Sequence, residues 1–393
     1  MKKIAVNTLH YGFNEGAILQ AYAVTELINL HLNIPGEIID QRYPGKVEIY
    51  GKAENKRQLA LQDAIDNWLP LSGDSFRENS NGKIFEYINN NYSGLIVGSD
   101  VVWSLYYQRR FRSIFKEGLF PVQKNPFFPP FPNIYWPGEE IKIPKYSYAA
   151  SIGSLELSEV PKSDRKEMAQ RLWTFEKLGI RDEKTIDFIL SIDPQLKSKV
   201  SLVPDPTLGI EFLNQEDKNK TKEKLSSLGV DFDRPRLGIV CGDHNPLADS
   251  AQHFKKKGFQ VIGISTKNSF SDVKLFEEDI SPLEWAHLFG HMDLCFTERM
   301  HGAIFCLKNK IPFVALDSYQ TGSGKISKTE SLMRKFGLED YCYLKEDGNS
   351  ESLIEAGESI LNYYDTDHSA RIGNVLNSQF EIAKDFFTGF NLK

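Results

Sequence analysis

Residues 293–317 read DLCFTERMHGAIFCLKNKIPFVALD, and they decide the fold. A short apolar run, 294–297, leads straight into Glu298-Arg299-Met300-His301-Gly302. Residues 303–308 have helical composition, and 311–316 form a second apolar run. Strand, polar turn, helix, strand is the repeating unit of a parallel α/β sheet. In such sheets, ligands bind outside the carboxyl ends of the strands. Arg299 and His301 fall at that position, a strand end and a helix start. A guanidinium grips a carboxylate or phosphate with two bonds. The helix N-terminus adds free N–H donors and partial positive charge. Imidazole holds or moves a proton near neutral pH. The same spacing also fits an Arg299 paired with a neighbouring carboxylate and a His301 that only caps the helix. Cys295 and Cys306 flank the motif inside apolar runs, which favours packing over catalysis.

The same rhythm precedes this stretch. Residues 237–240 and 261–265 read as strands, and 246–257 and 282–289 as helices. His287 and His291 stand four apart on the last of these. With no Glu after the first His and no third ligand evident, no metal site is expected. After Asp317, residues 321–325 (TGSGK) form a glycine loop whose Lys325 could meet a phosphate, without the spacing of a P-loop. Residues 350–363 and 374–387 look like terminal helices.

The first half opens another doubly wound domain. Residues 3–6 are a strand, 8–16 (TLHYGFNEG) a polar loop, 17–32 a helix with one broad apolar face, and 37–40 a strand. There is no GxGxxG, so no dinucleotide site is expected. Asn14 and Gly16 are positioned to cradle a ligand, or simply to make the loop. Residues 46–91 are polar, with weak helical patterns at 59–69 and 84–88. The strand at 95–97 ends in Gly98-Ser99-Asp100. Asp100 at a strand's carboxyl end suits a general base or a hydroxyl orienter, and equally a cap on the next turn. Residues 145–150 are a strand, and 163–173 a helix with Ser163 as N-cap. Residues 177–180 are a strand ending at Arg181, followed by a helix over 182–190. Residues 200–203 lead into a rigid Pro204-Asp205-Pro206-Thr207 turn, and a charged stretch from 214 to 224 enters the second domain.

Residues 103–136 hold eleven aromatic residues, where the chain's 12% would give roughly four. FFPPFPNIYWP cannot be helix and is a poor central strand. With Arg109, Arg110, Arg112 and Lys116 in the same segment, it suits sugar rings or a lipid headgroup layer, or a self-packed buttress.

Composition bounds the rest. The 393 residues suffice for two ordinary domains, and 41% hydrophobic with 25% charged residues describes a globular protein. A formal charge of −6 argues against a general nucleic-acid binder. Lys2 and Lys3 precede only Ile4-Ala5-Val6, too short for a signal-peptide core, and no apolar run reaches membrane-span length. The four cysteines include no CxxC pair, so reduced core thiols in a cytoplasmic protein are expected.

Taken together, the segments NEGAILQAYAV, LIVGSDVVW, YAASIG, GIRDE, VPDPTLG, FTERMHGAIF, IPFVAL and GK resemble, in that order, the polysaccharide pyruvyl transferases. The resemblance runs from Asn14 to about Leu338 and leaves the aromatic insertion and residues 46–91 uncovered. It implies a GT-B-like α/β fold, two Rossmann-type domains facing a central cleft. Residues 1–210 would form the acceptor side, with an insertion over 103–145. Residues 211–393 would form the donor side, with terminal helices. The implied reaction moves pyruvate from phosphoenolpyruvate onto two hydroxyls of a sugar, as a ketal, and releases phosphate. Arg181 and Arg299 would hold the donor, with His301 beside them as acid or phosphate ligand. Asp100 would be base for the acceptor, and Lys325 would neutralise the leaving phosphate. No metal or redox cofactor is expected. The acceptor would be a sugar of a cell-surface polysaccharide or its lipid-linked precursor. A lipid-linked acceptor would bring the protein into peripheral contact with the inner face of a membrane. Two other readings share these features. One is a GT-B glycosyltransferase using a nucleotide sugar, for which no distinct base- or ribose-binding sign is seen. The other is a non-catalytic glycan-binding protein, against which the joint presence of Asp100, Arg181, Arg299 and His301 speaks.

Overall fold

The computed structural model describes residues 3–77, 81–107, 129–211, 213–317, 327–344, 348–364 and 366–391. The chain divides into two compact units, Met1–Lys52 with Ile65–Ile210 and Glu381–Lys393, and Ala53–Ala64 with Glu211–Phe380. The main boundary falls between Ile210 and Glu211. Two segments depart from a simple division there. Residues 53–64 join the second unit, and the chain's last thirteen positions, from Glu381 on, return to the first.

The first unit contains seven strands among the described residues: β1 Lys3–Asn7, β2 Gly36–Gln41, β3 Leu71–Phe76, β4 Tyr92–Val97, β5 Lys145–Ala150, β6 Lys177–Ile180 and β7 Val200–Leu202. They pair in the order β3-β2-β1-β4-β5-β6-β7, all parallel. The direction of winding reverses at β1, so the switch point lies between β1 and β4. Every residue of β5 is buried, as a strand covered on both faces requires. The helix Glu15–Leu32 starts at Asn14, whose side chain accepts from the Ala17 N–H at 3.2 Å, and buries Ile18, Ala21, Val24, Leu27 and Ile28.

Residues 46–91 hold more structure than their polar sequence suggests. Helices Pro44–Tyr50 and Lys56–Asp63 are followed by a π-helical turn, Ala64–Trp68, then by β3 and the helix Asn81–Asn91. β3 is an edge strand reading LSGDSF, in which only Ser72 is buried, so it shows no apolar alternation. Three further local expectations are corrected. The helix Lys162–Trp173 is entered from Pro161 with no side-chain cap, and Ser163 bonds to Asp164 instead. The Pro204–Thr207 turn opens a four-residue helix, Pro206–Gly209, capped by Asp205. The final helix runs Thr366–Thr388, and its end returns to the first unit because aromatic faces await it there. Phe390 stacks on Tyr146 with ring centroids 3.7 Å apart, and Phe387 packs on Tyr148 at 4.9 Å. A Cβ at Gly179 would come within 2.8 Å of Phe386, so the bare glycine makes room for that ring.

The second unit has six strands among its described residues: β8 Arg236–Val240, β9 Gln260–Gly263, β10 Val273–Lys274, β11 Leu294–Thr297, β12 Phe313–Asp317 and β13 Cys342–Leu344. Their order is β10-β9-β8-β11-β12-β13, again all parallel, with the switch point between β8 and β11. Cys241, Cys295 and Cys306 are free thiols in its core, whereas Cys342, at the start of an edge strand, is half-buried. No helix among the described residues is long and apolar enough to cross a membrane.

Candidate active site

In the second unit, the ERMHG segment lies at the carboxyl end of β11, beside the switch point. The helix Met300–Asn309 begins there with Arg299 as its N-cap. Thr297 builds this corner. Its hydroxyl donates to the Arg299 carbonyl at 3.1 Å and accepts from the Arg299 N–H at 3.2 Å. Gly302 then sits so close that a Cβ would come within 2.2 Å of the Thr297 hydroxyl. Only glycine lets the first helical turn press onto the strand end. Glu298 ties the neighbouring strand in, accepting from the Gly242 N–H at 3.3 Å. Arg299 and His301, both half-buried, are thus held on a rigid strand-to-helix corner next to a helix N-terminus.

In the first unit, the carboxyl edge carries two more of the predicted residues, Asp100 and Arg181. Asp100 follows β4 with φ +74, the left-handed region, and its backbone bridges to Ala150. The Ser151 N–H donates to the Asp100 carbonyl at 3.0 Å, and the Val101 N–H to the Asp100 carboxylate at 2.8 Å. Gly98 makes this approach possible. Its φ is +118, and a Cβ would lie 2.2 Å from the Tyr148 carbonyl.

Arg181, just past β6, reaches Asp205 at 3.0 Å and Asp100 at 3.5 Å. Its side chain is only 6% exposed. Burial works against the guanidinium's charge, but Asp205 and Asp100 more than offset it and raise its already high pKa. Asp205 is itself fixed by the Thr207 N–H and hydroxyl, at 3.1 and 2.7 Å. The structure therefore commits Arg181 to two carboxylates of its own chain. That geometry lets Arg181 position Asp100, while its buried Nε–H has no hydrogen-bond partner among the described residues.

The remaining predicted residues are placed as follows. Asn14 caps the first helix, with Gly16 buried in its first turn. Lys325 lies outside the described residues, as do Arg109, Arg110, Arg112 and Lys116. His287 and His291 are turned to structural tasks: His287 Nε2 accepts from the Asn214 N–H at 3.2 Å, and His291 donates to the Lys218 carbonyl at 3.0 Å. Both contacts fasten the helix Gln215–Ser227.

Sequence reasoning passed over a further group on the first unit's edge. His10, in the loop after β1, meets Asp40 on β2 at 3.1 Å, and Arg42 meets the same carboxylate at 2.8 Å. Lys46 stands nearby, its ammonium lowered to about 8 by burial, partly offset by Asp100. The available signal was the one used for Asp100, a carboxylate at the end of a short apolar strand.

Comparison with solved structures supports the architecture. UDP-GlcNAc 2-epimerase from Neisseria meningitidis, bound to UDP-GlcNAc, matches at 11% identity and TM-score 0.53, covering 97% of this chain and 99% of that one. UDP-GlcNAc 2-epimerase from Methanocaldococcus jannaschii matches at 12% identity and TM-score 0.53, covering 96% and 99%. A glycosyltransferase from Rickettsia africae matches at 12% identity and TM-score 0.52, covering 99% and 100%. At such identities the likeness concerns the fold alone, which is GT-B. No curated protein matches the chain. The model of the polysaccharide pyruvyl transferases, in contrast, matches residues 14–319, well over half of the sequence and inclusive of Asp100, Arg181, Arg299 and His301. The chain belongs to the polysaccharide pyruvyl transferase family.

Proposed function

We propose that the protein transfers pyruvate from phosphoenolpyruvate onto two hydroxyls of a sugar in a cell-surface polysaccharide or its lipid-linked precursor. The product is a pyruvate ketal, and phosphate is released. The observation that carries this reading is the β11 corner, where Arg299 and His301 flank the start of the helix Met300–Asn309 within the family's matched region. Phosphoenolpyruvate is a small dianionic to trianionic molecule with a carboxylate and a phosphate on one carbon. The Arg299 guanidinium suits one of these groups, and the helix N-terminus the other.

Transfer needs a proton on the methylene carbon, which makes C2 electrophilic. His301 is the group beside the donor able to supply it. One sugar hydroxyl attacks C2, and a second displaces phosphate to close the ring. Two hydroxyl protons are given up in all; in balance, one ends on the new methyl group and one on the departing phosphate. Asp100, aimed by Arg181 and the Val101 N–H, is the base for one hydroxyl. A lipid-linked acceptor would place this chemistry at the inner face of a membrane.

The test is phosphate release from phosphoenolpyruvate in the presence of bacterial glycans and lipid-linked oligosaccharides, with the ketal detected by mass spectrometry. His301→Ala is expected to lower turnover by roughly 100-fold or more while donor affinity changes only a few-fold. Turnover within a few-fold of wild type would remove His301 from the acid role.

A further inference from the structure

Two turns meet at the switch point of the second unit. β8 and β11 pair in parallel, with Val240 opposite Thr297, so both chains leave the sheet at the same edge. β8 then leads to β9 on one side, and β11 to β12 on the other. Right-handed crossovers in opposite directions put the helices Asn245–Lys256 and Met300–Asn309 on opposite faces of the sheet, with a crevice between their starts. His244 stands four residues past Val240, as His301 stands four past Thr297. Each turn thus carries one imidazole.

The turn after β8 is braced from both sides. Its Gly242 N–H donates to Glu298 Oε1 at 3.3 Å, which ties it to the β11 corner. Its Asp243 carboxylate accepts from the Ser269 N–H at 2.7 Å and the Ser269 hydroxyl at 2.9 Å, which ties it to the loop after β9. That loop lays the Thr266 methyl beside Gly242. Both carboxylates of this edge are therefore engaged by N–H and O–H donors of the loops.

Two polar groups of the same loops are not engaged. His244 Nδ1 and Thr266 Oγ1 are buried and have no hydrogen-bond partner among the described residues. Both belong to half-buried residues, at the surface of the unit and not in its core. A buried hydroxyl or imidazole nitrogen left unpaired is costly, and a ligand that pairs it recovers the loss. His244 is the N-cap of the helix Asn245–Lys256, yet its side chain makes no capping bond. The backbone there offers little to a ligand: Pro246 has no N–H, and the Leu247 N–H is taken by the His244 carbonyl at 3.1 Å. On this side of the crevice the available donors are side chains.

The two anionic groups of phosphoenolpyruvate differ in shape. A carboxylate is planar with two oxygens, which one guanidinium fork can match. A phosphoryl group is tetrahedral with three terminal oxygens, and it needs donors converging from several directions. The start of the helix Met300–Asn309, an imidazole and a hydroxyl from separate loops supply such a set.

We propose that the donor's phosphoryl group is held between the start of the helix Met300–Asn309 and the turn after β8, by the His244 imidazole and the Thr266 hydroxyl, while its carboxylate goes to Arg299. This assignment rests on the phosphoenolpyruvate reading above and adds two binding residues to it.

The experiment takes the donor apart. Inorganic phosphate and phosphoenolpyruvate are followed by phosphorus NMR line broadening, and pyruvate by saturation transfer to its methyl protons. The samples are full-length wild type, His244→Ala, His244→Gln and Thr266→Val, each compared by melting temperature. His244→Ala is expected to weaken phosphate and phosphoenolpyruvate about tenfold and to leave pyruvate within about twofold. Thr266→Val should weaken the same two ligands about fivefold, and His244→Gln, which keeps an N–H donor, should recover part of the His244→Ala loss. Phosphate and phosphoenolpyruvate binding unmoved in both His244→Ala and Thr266→Val overturns the assignment and leaves the donor reading standing. Pyruvate weakened as much as phosphate in His244→Ala overturns it too, since the damage is then general. Phosphate binding that depends on His244 in a wild type that does not bind phosphoenolpyruvate overturns the donor reading and keeps the phosphate site. A wild type that binds neither overturns both.

Discussion

Replacing Arg181 by Met tests whether the first unit's edge is built around a shared charge. Arg181 is 6% exposed, Asp205 4% and Asp100 24%. Removal leaves Asp205 buried without its counter-ion, which in comparable cases costs about 3–5 kcal/mol. Asp205 keeps two hydrogen bonds from Thr207, at 3.1 and 2.7 Å, so the lower end applies, about 3 kcal/mol. Asp100 is partly solvated and 3.5 Å away, and should add less than about 1 kcal/mol. Asp205→Asn removes the second charge and keeps a side-chain oxygen for Thr207. The double variant should therefore recover about 2 kcal/mol of the Arg181→Met loss. The assay is urea unfolding of wild type, both single variants and the double variant at pH 7, read as a double-mutant cycle. A loss below about 1 kcal/mol with strictly additive variants would refute the reasoning. If phosphoenolpyruvate binding also vanished in that case, Arg181 would be a donor clamp after all.

Two further outcomes follow from the packing and the titrating groups. Phe387→Ala removes a fully buried ring that packs on Tyr148, and should cost about 3–5 kcal/mol in unfolding experiments. A cost below about 1 kcal/mol would mean that the last helix does not anchor the first unit. Burial chiefly lowers the His291 pKa to about 4, against an ordinary value of 6.5, so between these the unfolded chain binds the extra proton. Stability contributed by His291 is thus full above pH 6.5 and is lost as pH falls towards 4. His291→Gln should flatten the pH dependence of the melting temperature across that window, and an unchanged slope would contradict the assignment.

The αβ rhythm was legible because both sheets are parallel and buried. Their strands stand out as short apolar runs, such as 95–97 and 294–297. Asp100, Arg181 and Arg299 were singled out for the same reason, since each follows such a run within three residues. β3 escaped because an edge strand reading LSGDSF carries no apolar stripe. The return of Phe386, Phe387 and Phe390 to the first unit was not legible either. Helical periodicity shows that a face is apolar and says nothing of which sheet will receive it. The role of Arg181 depends on a carboxylate 24 positions away, Asp205, brought alongside by β6–β7 pairing. His10 and Asp40 were hidden likewise, since their meeting requires β1 and β2 to be neighbours.

The central claim is that Arg299, at the head of the β11 corner, holds phosphoenolpyruvate. Titration calorimetry of phosphoenolpyruvate, and separately of UDP-sugars, into wild type and Arg299→Ala tests it without knowledge of the acceptor. Saturable binding of phosphoenolpyruvate to wild type is expected, at least about tenfold weaker in Arg299→Ala, as loss of a bidentate charged contact requires. Undiminished binding in Arg299→Ala, or binding of a UDP-sugar in place of phosphoenolpyruvate, would contradict it.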